Sequence, residues 1–217
     1  MTARRAGMLA ALWAGLALGL VTGVSPAMAQ VRPGDSELLK ALKAGGQVVV
    51  LRHATADPEK ADTEPLNFRN IRAQQPLTEQ GRQSAHLLGE TWRRLGIVFG
   101  EILTSRFNRA YQTAVLAGYK TAKPITELTE GSLVVSPKEQ QRRAAYLRKL
   151  TVDPLPPGQN RLIVTHRVNI AQAYGKEWFD VKEGEASVFR VENGAYSLIA
   201  RLKTDEWNRL LLLAQKT

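Results

Sequence analysis

Residues 47–51 contain Val48-Val49-Val50-Leu51, a continuous β-rich apolar run behind Gly45-Gly46, which predicts a short strand buried on both faces. From Thr78 the period changes. Ala85, Leu88, Trp92 and Leu95 recur at helical spacing and Gly96 follows as a stop signal, so residues 78–95 are predicted to be a helix. Residues 97–104, with Ile102 and Leu103 inside them, form a second strand candidate; residues 109–119 read as a helix and 125–128 as a short strand. Ser136-Pro137-Lys138-Glu139 combines a serine cap, a proline in the first turn and a glutamate three positions after the cap, and opens a helix to about Leu150. After a Pro/Gly loop at 153–159, Arg161-Leu162-Ile163-Val164-Thr165 predicts another buried strand, ending at His166. Residues 187–192 and 196–202 flank Asn193-Gly194, the strongest short-range hairpin signal, and Thr204 is expected to cap a last helix with Trp207, Leu210 and Leu211.

Such alternation implies an α/β fold: three layers, α/β/α, around a mostly parallel central sheet finished by an antiparallel C-terminal hairpin. No internal repeat, heptad pattern or second domain interrupts it. One long stretch, residues 55–76, is polar and irregular, and loops of that length are often functional lids.

The first residues follow a different pattern. Arg4 and Arg5 precede an apolar run from Met8 to Val21, and Ala27-Met28-Ala29 closes the segment, as in a secretory signal peptide cut after Ala29. The apolar run, broken by Gly15 and Gly19, is short for a spanning helix, so no stable membrane anchor is expected after cleavage. Residues 1–29 are therefore expected to be a cleaved signal, and residues 30–217 a single domain in a periplasm or outside the cell. The chain has no cysteine, which excludes disulfides, thiolate metal sites and cysteine nucleophiles. Its net charge of +10 becomes +8 (28 basic, 20 acidic residues) without the signal and favours anionic partners. The basic residues are scattered in pairs such as Arg93-Arg94, with no zinc-finger or RNA-binding aromatic motif, so no nucleic-acid partner is expected.

The chain holds three histidines: His53, His86 and His166. His86 lies beside a helical stripe and reads as a surface residue. His53 and His166 each follow an apolar strand, and in open α/β sheets ligands bind beyond the carboxyl ends of strands. Arg52 and Arg109 stand at or just after strand ends too. Arginine's planar fork binds phosphate oxygens bidentately, so the two side chains are suited to converge on one anion.

Leu51-Arg52-His53-Ala54, Leu77-Thr78-Glu79-Gln80-Gly81, Ser105 through Arg109-Ala110 to Thr113-Ala114, and Val164-Thr165-His166 together resemble the motifs of the histidine phosphatase superfamily, the phosphoglycerate mutase-like proteins. The four occur in the family's order. Size, and the short segment between Arg109 and His166, look most like its compact phosphohistidine-phosphatase-type branch. The resemblance implies the phosphoglycerate mutase-like fold, no cofactor and no metal. It implies that His53 takes the phosphoryl group as a phosphohistidine, with Arg52, Arg109 and His166 around the phosphate oxygens. On this reading His53 attacks as neutral imidazole, its pKa lowered by the arginines, while His166 serves best protonated. Many members use a carboxylate to protonate the leaving group. Glu185 is favoured here because its place before the hairpin strand would set it near His166; Glu127 and Glu130 are the alternatives, and Glu183 reads as a solvated loop acid. Ala54 stands where glycine is usual, which restricts the backbone, and Arg167 follows His166 where many members have glycine. Arg167, and Asn67, Arg69 and Arg72 of the loop, are candidates for binding the rest of a substrate.

The expected function is an exported phosphomonoesterase acting on a small anionic phosphorylated substrate. The alternatives are a phosphate- or polyanion-binding protein without turnover, a mutase of the phosphoglycerate type, for which the chain is short, and a purely electrostatic binder of envelope polyanions. Neither the substrate nor the oligomeric state is written in the pattern.

Overall fold

A computed structural model describes residues 34–131 and 134–215; the expected signal segment lies outside the described residues. Helix α1 (Asp35–Ala44) leads into strand β1 (Gln47–Arg52), followed by the loop 55–76 and helix α2 (Glu79–Arg94). Then come β2 (Phe99–Ser105), α3 (Asn108–Leu116), β3 (Lys123–Ile125), α4 (Pro137–Val152), β4 (Asn160–Thr165) and α5 (Arg167–Tyr174). The hairpin β5 (Ala186–Glu192) and β6 (Ala195–Leu202) and helix α6 (Trp207–Ala214) end the described chain. The six strands form one sheet in the order β3-β2-β4-β1-β5-β6. Pairing is parallel from β3 to β1 and antiparallel at β1–β5 and β5–β6, so the expected mostly parallel α/β sheet and its hairpin are both present.

Strand periodicity builds the two core layers. On β1, Val49 and Leu51 face one side and Val48 and Val50 the other; on β4, Leu162 and Val164 oppose Ile163 in the same way. The first side packs under Leu38 and Leu42 of α1, Leu88 and Trp92 of α2, Ala110 and Ala114 of α3, and Trp207 and Leu210 of α6. Ala144, Leu147 and Leu150 of α4 and Ile170 of α5 cover the second. A strand covered on both faces has no polar side to show, which is why β1 and β4 read as unbroken apolar runs.

Caps and turns fall where their chemistry predicts. The Thr78 hydroxyl accepts from the Gly81 amide at 2.9 Å, and the Ser136 hydroxyl from the Glu139 amide at 3.2 Å. Asn193 and Gly194 take φ of 52° and 73°, the paired left-handed conformations of a two-residue hairpin turn. Three local expectations change. Strand β3 spans 123–125 only, and Thr126–Leu128 is a 3-10 turn. Thr204 does not cap the last helix: it begins a 3-10 turn whose preceding amide, at Lys203, donates to Glu206 Oε2, while its own hydroxyl donates to the Gly184 carbonyl. Helices α1 and α5 were not legible as elements, because α5 is short and buries Asn169 beside its apolar residues.

Candidate active site

Strand register assembles the site. Leu51 of β1 and Thr104 of β2 both pair with Val164 of β4, and Arg52 pairs with Thr165, so three strands stop in one row. The next residues, His53 and His166, are therefore neighbours at the end of the parallel sheet. The His53 amide donates to the Thr165 carbonyl at 3.0 Å, and the two imidazole centroids lie 5.1 Å apart. Ser105, last residue of β2, reaches His166 Nε2 at 2.7 Å. Thr113 of α3 ties the two arginine motifs together: its hydroxyl accepts from the Ala54 amide at 3.0 Å and donates to the Arg109 carbonyl at 2.7 Å. Ala54 itself adopts no left-handed φ, so alanine meets no backbone strain there. Gly81 is required by contact instead, because a Cβ would lie 2.1 Å from the Thr55 carbonyl oxygen on which the α2 N-terminus rests.

The imidazoles are set up by their hydrogen bonds. His53 Nδ1 lies 2.8 Å from the Ala54 carbonyl, which can only accept, so Nδ1 carries the proton and Nε2 keeps its lone pair. Burial lowers the His53 pKa most, then Arg109, then Arg52; against the raising effect of the Ala54 bond they bring it from 6.5 to about 3. The expected neutral imidazole is thus held mainly by desolvation, with the arginines second. His166 differs from expectation. Fully buried, and close to Arg109, His53 and Arg52, it is pushed well below the ordinary histidine value and is neutral rather than protonated. It can still donate. The Ser105 hydroxyl accepts from the Phe107 amide at 3.0 Å and so can give its proton to His166 Nε2, leaving the proton of His166 on Nδ1, which has no hydrogen-bond partner among the described residues.

Arg109 is almost wholly buried, with its guanidinium 4.5 Å from the Phe107 ring centroid. Its Nη1 meets both oxygens of Asp62 at 3.0 and 2.9 Å, its Nη2 meets Glu130 at 2.6 Å, and its Nε is unpartnered among the described residues. Arg52 donates to the Val181 carbonyl at 2.8 Å and to Glu183 at 3.1 Å, with its Nε likewise unpartnered. Among the described residues, no group of three or more His, Asp and Glu is placed to hold a metal ion.

Four of the residues singled out in sequence thus come together: Arg52, His53, Arg109 and His166. The carboxylates sort differently. Glu130 Oε1 lies 3.8 Å from His166 Nδ1 as well as against Arg109. Both oxygens of Glu185 are engaged elsewhere, by Arg201 Nε at 2.6 Å and the Lys182 amide at 3.0 Å, although its backbone carbonyl does receive the Arg52 amide. Glu127 pairs with Arg142, and Glu183 is tied to Arg52 rather than left to solvent. Arg167, Arg69 and Asn67 are exposed, and the Asn67 amide donates to Glu64 at 2.7 Å. Asp62 escaped sequence reading altogether. It is one acid among several in a polar loop, and only folding brings that loop over Arg109. Ser105 and Thr113 lay inside a recognised motif, but spacing alone showed nothing of the bonds they make.

Residues 48–133 match the histidine phosphatase superfamily (branch 1). No curated protein matches the sequence. Among solved structures, the chain is similar to the protein histidine phosphatase SixA complexed with tungstate, at 19% identity and a TM-score of 0.54, over 73% of this chain and 97% of that one. It is also similar to a phosphoserine phosphatase mutant from Entamoeba histolytica complexed with phosphoserine (14%, 0.53, 74% and 98%). A third is a mycobacterial glucosyl-3-phosphoglycerate phosphatase (19%, 0.51, 71% and 97%). At these identities the structures speak for the fold. Residues 48–133 thus match the histidine phosphatase superfamily, and about three quarters of the chain shares its fold with solved phosphatases.

Proposed function

We propose that the protein hydrolyses phosphate monoesters through a phosphohistidine on His53. The observation that carries this reading is the His53 imidazole itself. It is buried and neutral, with Nδ1 committed to the Ala54 carbonyl and Nε2 bearing the lone pair, in the company of two arginines and a second histidine. Nε2 attacks phosphorus as the bond to the leaving oxygen breaks, and a proton passes to that oxygen. Water then attacks phosphorus, the P–N bond breaks, and the water's proton goes to the group that acted as acid. Glu130, against Arg109 and His166, is the carboxylate best placed for both transfers. Three buried groups at the site that have no hydrogen-bond partner among the described residues, Arg52 Nε, Arg109 Nε and His166 Nδ1, are donors suited to phosphoryl oxygens as charge moves onto them. The substrate in this reading is a small anionic phosphorylated molecule. Export on a signal cut after Ala29 belongs to the same proposal; cell fractionation with N-terminal sequencing tests it, and an intact Met1 in a cytoplasmic fraction overturns it.

The test is hydrolysis of an aryl phosphate by residues 30–217 with chelator present, with alkaline-quench trapping of a phosphorylated imidazole, whose P–N bond is labile in acid and stable in base. Wild-type protein should turn over, and His53→Ala should lose at least roughly a thousandfold in rate together with the trapped intermediate. Trapping of phosphate on any residue but His53 would sink the mechanism. Oxyanion binding without turnover of any phosphate ester would make the chain a binding protein.

A further inference from the structure

Asp62 occupies the guanidinium that the proposed reaction assigns to the substrate. Both its oxygens straddle Nη1 of Arg109, at 3.0 and 2.9 Å, and Oδ1 also accepts from the Gln75 amide at 2.9 Å. A carboxylate so placed engages arginine much as a phosphate would. With Glu130 on Nη2, both terminal nitrogens of Arg109 are taken. A dianionic phosphoryl group brought against Arg109 therefore meets the Asp62 carboxylate at short range, where like charges repel strongly in a partly dry site.

The two carboxylates differ in how firmly they are held. Glu130 follows Thr129, whose buried hydroxyl accepts from the Arg106 amide at 2.9 Å and donates to the Ile125 carbonyl at 3.1 Å, and whose carbonyl is bound by Arg143 at 2.7 Å. Asp62 stands in the middle of the long loop. That loop is knitted mainly to itself, Thr63 to Ala73 and Gln75 to Asp57, and rests on the body through Gln74 at the Asn108 amide and Phe68 against Phe107. Apart from Arg109, the Asp62 carboxylate is held by one backbone amide, that of Gln75.

We propose that Asp62 is a specificity-determining residue, a built-in competitor that a phosphoryl group must displace from Arg109. Phosphate or a minimal ester then binds weakly, and a substrate whose remaining part engages the 55–76 loop is favoured. The loop presents exposed Leu66 and Ile71, with Arg69 and Arg72 beside them, to such a part. This inference rests on the phosphatase reading of the site.

Tungstate is the probe, titrated by calorimetry into wild-type chain and Asp62→Asn. The variant should bind about tenfold more tightly, the scale of one charge-assisted contact no longer competing. It should also lower KM for a small phosphate ester, with kcat less affected. In the wild type, tungstate should accelerate hydrogen exchange at the Gln75 amide, a readout that does not depend on the variant folding. Unchanged or weaker tungstate binding in a folded Asp62→Asn, or unchanged Gln75 protection, would overturn the competition and leave Asp62 a residue that merely positions Arg109. Arg109→Ala should abolish binding in both backgrounds. Binding indifferent to Arg109, or no tungstate binding at all, would remove the phosphoryl-site reading itself.

Discussion

Two arginines are buried at opposite ends of β4, and they are satisfied in opposite ways. Arg161, at the strand's start, donates to Glu101 from Nε and to the carbonyls of Leu150, Asp153 and Pro154 from its other nitrogens. Those carbonyls belong to the end of α4 and the loop after it, so they cannot leave without unfolding. Arg109, near the strand's other end, is paired by side-chain carboxylates from two loop segments and keeps one nitrogen without a partner among the described residues. A buried cation bound by backbone braces the fold. One bound by removable side chains, beside other unpartnered donors, is poised to exchange them for a ligand.

Substitution should separate the two. Arg109→Ala is expected to lower kcat/KM for a phosphate ester by about 10²–10³, the cost of removing one preorganised donor to transition-state charge. It leaves Asp62 and Glu130 facing each other without their shared cation, so some loss of stability is expected too, but less than at Arg161. Arg161→Met should instead destabilise by about 2–4 kcal/mol in chemical denaturation, because it strands carbonyls and Glu101, with kcat per folded molecule retained. Equal activity losses in the two variants would erase the distinction.

The carboxylates extend the contrast. Glu130→Gln should reduce kcat by about 10² for an alkyl phosphate and far less for an aryl phosphate, whose leaving group departs without protonation. Glu185→Gln, cutting an ion pair with Arg201, should cost about 1–2 kcal/mol of stability and leave the leaving-group dependence unchanged. The reverse pattern would restore Glu185 as the acid.

The same site also makes stability depend on pH. His53 titrates near 3 when folded and near 6.5 when unfolded, so between those values the unfolded chain binds more protons and folding weakens as pH falls. The penalty begins below about 6.5 and saturates near 3, at a few kcal/mol. Denaturation midpoints should fall less steeply over that window in His53→Asn than in wild type. Parallel slopes would mean that burial does not hold His53 neutral.

Period and local chemistry made much of the fold legible. Val48 to Leu51 and Leu162 to Val164 read as buried strands because both faces are covered, and Thr78, Ser136 and Asn193-Gly194 announced caps and a turn that neighbours in sequence complete by themselves. Helix α5 did not show, and Thr204 misled, because what each does is decided by distant partners: the sheet face under Ile170, and the carbonyl of Gly184. The same division runs through the site. Arg52, His53, Arg109 and His166 could be named from the residues because each sits at or beside a strand end, where a motif of a few positions marks it. Which carboxylates face them could not be named. Glu130, Glu185 and Asp62 are alike as letters, and a carboxylate's role depends on the nearest cation in space. Register of β1, β2 and β4 and the path of one long loop gave Arg109 to Asp62 and Glu130, and Arg201 to Glu185, and only the folded chain sets those distances.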